Sequence, residues 1–175
     1  MGLKERVMEL LSAERGDELA GLVAENPRAV RHLVGRLWDP DPGIRNAAAR
    51  VLGEAGARHP ELGKDVVRRL LWALNDESGA DGRPGLLGLG WLGRVSPDLL
   101  EPHVPALVSM AWDGGLRVRL LEALCLMAEG SPEIVRPHMR RLGRWIDHDN
   151  ADESRLWEQL VGLVKRGGNT WQLRA

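Results

Sequence analysis

GLGWLG, residues 88–93, spells G-x-G-x-x-G. In a turn between a β-strand and a helix, that pattern cradles the phosphates of a dinucleotide; inside a helix, it makes a surface pared down for close approach. The flanking sequence separates the two. Upstream lie a helical stripe and a polar turn, with no alternating run of β-branched residues. An acid about 20 residues further on should take the ribose, but the nearest acids after Gly93 are Asp98 and Glu101, in the start of another helix. The stretch therefore reads as a glycine-rich, closely packed helix. Six glycines between positions 79 and 93, each costing about 1 kcal/mol of helix propensity relative to Ala, make it the expected least regular helix, and the first place to look for a site.

Working outward, the chain repeats. NPRAV from Asn26, HPELG from His59, SPDLL from Ser96 and SPEIV from Ser131 place prolines at 27, 60, 97 and 132, spaced by 33, 37 and 35 residues. A capping residue, then proline in the first turn, often with an acid nearby, marks a helix start. Apolar stripes at i, i+3, i+4, i+7 follow: Val30, Leu33, Val34, Leu37; Val67, Leu70, Leu71, Leu74; Val104, Leu107, Val108, Ala111. Val135, Met139, Leu142 and Ile146 make a looser one. Turns follow at DPDPG 39–43, NDESGADG 75–82, DGG 113–115 and DHDNAD 147–152. Second stripes come next, clearest as Ala48, Val51, Leu52, Ala55 and as Leu120, Ala123, Leu124, Met127. Leu3, Val7, Leu10 and Leu11, then Leu19, Leu22 and Val23, add an N-terminal pair. The expected fold is all-α, an α-solenoid of about five stacked helical hairpins, because a hairpin this short buries its apolar face only against neighbours. It forms a single domain over 1–175, with a capping hairpin at 1–26, repeats at 27–58, 59–95, 96–130 and 131–168, and a tail at 169–175.

DPDPGIRNAAARVLGEAG, residues 39–56, resembles the second half of a bacterial HEAT-like repeat. Arg117 and Leu124 lie 72 residues after Arg45 and Leu52, two repeats in register, and Arg155 is the nearest match in the last repeat. RRLLWALNDESG, residues 68–79, resembles a segment of small bacterial HEAT-repeat proteins, with Arg83 standing where that pattern carries an aromatic. The resemblance implies a non-catalytic binding or scaffold role. HEAT-like DNA-base glycosylases and bilin lyases share the architecture and supply the alternative, an enzyme or enzyme subunit, through fold likeness alone.

Composition is that of an ordinary soluble globular chain, expected to be cytoplasmic. Lys plus Arg numbers 24 and Asp plus Glu 25, so net charge draws the chain toward neither nucleic acid nor anionic membrane. MGLKERVMELLSAERGDEL lacks the uninterrupted apolar core of a signal peptide, and no window reaches the length of a membrane span. Cys125, alone and within ALCLMA, reads as a core residue. No catalytic constellation, cofactor motif or metal-ligand spacing stands out, and the expected partner is another protein rather than a nucleic acid.

Three groups are the candidate binding residues. Asn75, Asp76, Glu77 and Ser78 open the longest inter-helix turn, where capping is the simpler reading and partner or cation binding the functional one. Trp38, Trp72 and Trp112, with Trp145, recur near the ends of the first helices; packing between repeats is favoured over partner anchoring. Arg136, Arg140 and Arg144 fall at i, i+4, i+8, a basic line expected to be a solvated face. Further arginines at 28, 31, 36, 68 and 69 lie on the same kind of helix, and His103 and His138 are 35 residues apart at equivalent positions.

Overall fold

Pro27, Pro60, Pro97 and Pro132 each stand in the first turn of a helical segment, where the missing N–H costs nothing. The computed structural model of the chain describes residues 2–75 and 83–169, and among these there is helix and no strand. The expected side-chain caps at Asn26, Ser96 and Ser131 are not made, and His59 makes none either. Asn26 instead turns back, and its Nδ2 donates to the Leu22 carbonyl at 3.1 Å, closing the preceding helix. Side-chain caps appear at the returning helices: Asp41 accepts from Gly43 N and Asp113 from Gly115 N, both at 2.8 Å, while Asn150 accepts from Asp152 N and Glu153 N, both at 3.1 Å.

Leading and returning segments differ in regularity. After α1 (Leu3–Ser12) and α2 (Gly16–Glu25), the leading segment 27–38 is a short helix α3 (Val30–Val34) between 3-10 turns. The returning helix α4 runs unbroken over Pro42–Arg58. The next pair is α5 (Pro60–Leu74) and α6 (Arg83–Val95). Residues 97–112 break into α7 (Pro97–Leu100), α8 (Val104–Ser109) and 3-10 turns, before α9 (Gly114–Gly130). Residues 132–142 keep only α10 (Met139–Leu142) as α-helix, and α11 follows over Ala151–Asn169. Pro102, Pro105 and Pro137 lie inside the two broken leading segments, where each lacks the N–H an α-helix would use.

The returning helices form a row, α2 against α4, α4 against α6, α6 against α9 and α9 against α11. The predicted stripes meet between that row and the leading segments. Leu33, Leu37, Leu52, Leu70, Leu89, Leu107, Leu124, Val135 and Leu160 all belong to one buried cluster.

α6, expected to be the least regular helix, is unbroken from Arg83 to Val95. Its glycines are contact points. A Cβ on Gly90 would lie 2.8 Å from the Cα of Ala123 in α9, and one on Gly53 of α4 would lie 2.8 Å from the carbonyl carbon of Trp91. Backbone meets backbone on both sides of α6, and that packing outweighs the weak propensity of its glycines. The loosened, backbone-exposing stretch expected at 79–93 is therefore absent from 83–93; residues 79–82 lie outside the described residues.

Arg45 and Arg117 close the repeat. Arg45 Nη1 donates to the Asp39 carbonyl at 2.7 Å, and Arg117 Nη1 to the Ala111 carbonyl at 3.3 Å, each reaching six residues back. Arg155, the sequence match in the last repeat, makes no such clamp: it is largely exposed and 3.8 Å from Asp152. α11 starts at Ala151, which puts Arg155 one position later in its helix than Arg45 and Arg117 are in theirs, and so on a different face.

Candidate partner-binding surface

Trp38 ends the leading segment 27–38, and Trp72 lies in the last turn of α5. The helical stripe buries Leu37 and Leu70 beside them and turns both indoles outward. Trp38 is 36% exposed, Trp72 69%, Trp112 65% and Trp145 45%, so Trp72 and Trp112 stand mostly in solvent while Trp38 and Trp145 are partly covered. Among the described residues, the indoles that pack on the core are Trp91 and Trp157. Burial follows helix face rather than residue type: Trp38, Trp72 and Trp112 sit one or two positions past the buried stripe residues Leu37, Leu70 and Ala111.

Trp38 and Trp72 share a cleft of about 550 Å³ between segment 27–38 and α5, completed by Arg31, Val34, Gly35, Arg68, Arg69 and Ala73. Its floor is apolar and its charged lining residues are all arginine. A smaller cleft beside it, sharing Arg31 and Gly35, adds Lys4, Met8, His32 and Arg36. Another shares Arg68 and adds Lys64, Val67, Leu71, Leu99 and His103.

The charges around the cleft are organised from within each helix. Asp65 Oδ2 accepts from Arg69 Nε at 2.7 Å and its Oδ1 from Arg68, so one carboxylate holds both guanidinium groups along α5. The hydrogen bond from Arg69 holds the Asp65 carboxyl below its ordinary value; burial opposes this and Arg68 adds to it. His32 is pushed down from its usual value first by burial and then by the positive charges of Arg31, Lys4 and Arg36. Arg36 pairs with Asp39 at 3.2 Å and Lys64 with Glu61 at 2.7 Å.

The other candidates are scattered. Asn75 caps α5, its Nδ2 donating to the Leu71 carbonyl at 2.9 Å; Asp76, Glu77 and Ser78 lie outside the described residues. Arg136, Arg140 and Arg144 do not form a helical line. Arg136 is in a 3-10 turn at Pro137, Arg140 is in the four-residue α10, and Arg144 lies past its end. Arg136 is committed to structure, pairing with Glu133 at 2.5 Å and donating from Nη2 to the Val164 carbonyl of α11 at 2.9 Å. Trp112 stands apart, at the end of the Met110–Trp112 turn. Cys125 is 3% exposed and its thiol donates to the Leu156 carbonyl at 3.6 Å. Burial, with Glu129 and Glu122 nearby, pushes that thiol up to about 12.

No family model matches the chain, and no solved structure does. A protein of Archaeoglobus fulgidus described only as uncharacterised is 36% identical over 81 residues, 46% of this chain and 43% of that protein. The chain thus spans less than half the length of this relative. No helix among the described residues is long and apolar enough to cross a membrane, and no group of three or more metal-binding side chains occurs among them.

Trp38, Trp72, Arg31, Arg68 and Arg69 are all legible in the sequence as candidates or as helix-borne arginines, but nothing in their separate spacings puts them in one place. A partial signal is there: Arg68 and Trp72 are four residues apart and Arg31 and Trp38 seven, each pair on one helix face.

Proposed function

We propose that the chain is a HEAT-like α-solenoid that acts as a non-catalytic scaffold and recognises a protein partner through the solenoid surface, chiefly its leading segments, together with residues 75–82. The observation that carries this reading is the set of four outward-facing indoles, Trp38, Trp72, Trp112 and Trp145, near the ends of successive leading segments. Large aromatics held in water are costly unless something covers them, and Trp is enriched among residues that dominate binding energy. The row of helices α2, α4, α6, α9 and α11 and the matching Arg45 and Arg117 clamps support a solenoid.

The test is affinity capture from the native host, followed by titration of each purified partner against the wild-type chain and a variant with all four outward tryptophans replaced by Ala. Truncating a binding hot spot costs about 2 kcal/mol or more, so the variant should lose at least about tenfold in affinity while keeping its helical circular dichroism. A folded variant that binds every partner undiminished overturns the reading.

A further inference from the structure

The cleft between Trp38 and Trp72 has a property that net charge conceals. Acids outnumber bases by one over the chain, yet every ionisable residue lining this cleft is Arg, and the ionisable residues of two clefts that share its Arg31 and Arg68 walls are only Lys, Arg and His. Another cleft that Trp38 lines is mixed, with Asp39, Glu122 and Asp152 beside Arg45, Arg83 and Arg119. The acids of these segments stand outside the Trp38–Trp72 cleft and brace the cations: Asp65 holds Arg68 and Arg69, Glu61 holds Lys64 and Asp39 holds Arg36. The cleft is thus an apolar floor with an aromatic wall on each side and a basic rim. Its volume of about 550 Å³ falls within the range of roughly 300–1,000 Å³ usual for binding pockets.

Two features separate the classes of anionic partner. A nucleic acid carries a charge at every nucleotide and is held by a continuous basic track. Here the cations are half-neutralised by their own helices and interrupted by Val34, Gly35 and Ala73. Carboxylates spaced around an apolar side chain fit that pattern better. We infer that this cleft takes an acidic peptide segment, with one apolar or aromatic side chain seated between the Trp38 and Trp72 indoles and flanking carboxylates on Arg31 and Arg69. The inference rests on the protein-binding reading above and adds the chemistry of the partner and the place where it docks. Arg68 and Arg69, oriented by Asp65, act as preformed donors, and Arg supplies planar, paired hydrogen bonds to a carboxylate.

The seven tryptophans each give an indole N–H signal in the nitrogen-15 spectrum of the full chain, assigned by single Trp→Phe variants. The probe is a short synthetic peptide of glutamates around a central leucine pair. It should move the Trp38 and Trp72 signals and leave Trp157 in place, and the same peptide with lysines for glutamates should not. Arg31→Glu with Arg69→Glu, both on exposed parts of the surface, should weaken the peptide at least about tenfold while helical circular dichroism stays intact. The inference is overturned if millimolar peptide leaves both signals unmoved, if a single-stranded oligothymidine moves them and the peptide does not, or if they move with protein concentration alone, as a second copy in the cleft would cause. Movement confined to Trp112 and Trp145 also overturns it while leaving the wider binding reading standing; that reading falls only on undiminished partner binding by the four-tryptophan variant.

Discussion

Arg117 of α9 donates from Nε to Oε2 of Glu153 in α11 across 2.9 Å, and the same oxygen accepts the Asp147 backbone N–H at 2.9 Å. Glu153 is the single buried charged residue among the described residues, at 2% exposure. The stretch between α10 and α11 is thus tied to α9 by one carboxylate.

Removing Arg117 leaves that carboxylate buried without its cation. Arg117→Ala should destabilise the fold by about 3 kcal/mol or more. Arg45→Ala, which loses hydrogen bonds to the Asp39 and Pro40 carbonyls and strands no buried charge, should cost about 1–2 kcal/mol. Urea denaturation of the two variants side by side measures the difference, and equal losses would count against a special role for Glu153.

Glycine substitutions should change stability with opposite signs along the row of helices. Gly90→Ala forces a Cβ to within 2.8 Å of the Ala123 backbone and should cost about 1–3 kcal/mol. Gly162→Ala in α11 meets nothing within 4 Å and should stabilise by about 0.5–1 kcal/mol through helix propensity. Thermal denaturation reads both.

Asp65 should contribute to acid sensitivity. Its folded-state pKa is depressed below 3.8 by hydrogen bonding from Arg69 and then Arg68, against the opposing effect of burial. The stability it supplies is present in full above the unfolded value and is lost as pH falls through the folded one. The stability gap between wild type and Asp65→Asn should therefore be constant near neutral pH and shrink below about pH 4. A gap that widened with acid would contradict the geometry of Arg68 and Arg69 on Asp65.

Cys125 should be inert in the folded chain. With its thiol buried and pushed up to about 12, thiolate is scarce at about pH 8. Iodoacetamide should leave native protein unmodified by mass spectrometry and label it in denaturant. Labelling of the native chain at the rate of a free thiol would show that the α9–α11 contact opens readily.

GLGWLG illustrates how far local reading reaches. The missing strand and acid, together with its place in the repeat, mark it as helix, and α6 contains it. Propensity arithmetic also pointed to irregularity, and that expectation is overturned because α4 and α9 press directly on the glycine positions. The tryptophans show the reverse case. Their recurrence near the ends of the leading segments is legible, but the expected partial burial holds least for Trp72 and Trp112, at 69% and 65% exposure, because face rather than hydrophobicity decides which indole meets solvent. The basic line through Arg136, Arg140 and Arg144 failed for a local reason that was visible all along: Pro137 interrupts the helix the spacing assumed.

Helical class, the proline starts and the buried stripes were determined by the sequence alone, since each follows from the chemistry of residues within one or two turns of one another. Only the tertiary structure decided that Trp38 and Trp72 flank one basic-rimmed cleft, that Glu153 receives Arg117, and that α6 stays regular. Those outcomes depend on the distance and rotation between helices, which arise from side chains packing across neighbouring segments and leave no mark in the spacing of any single helix.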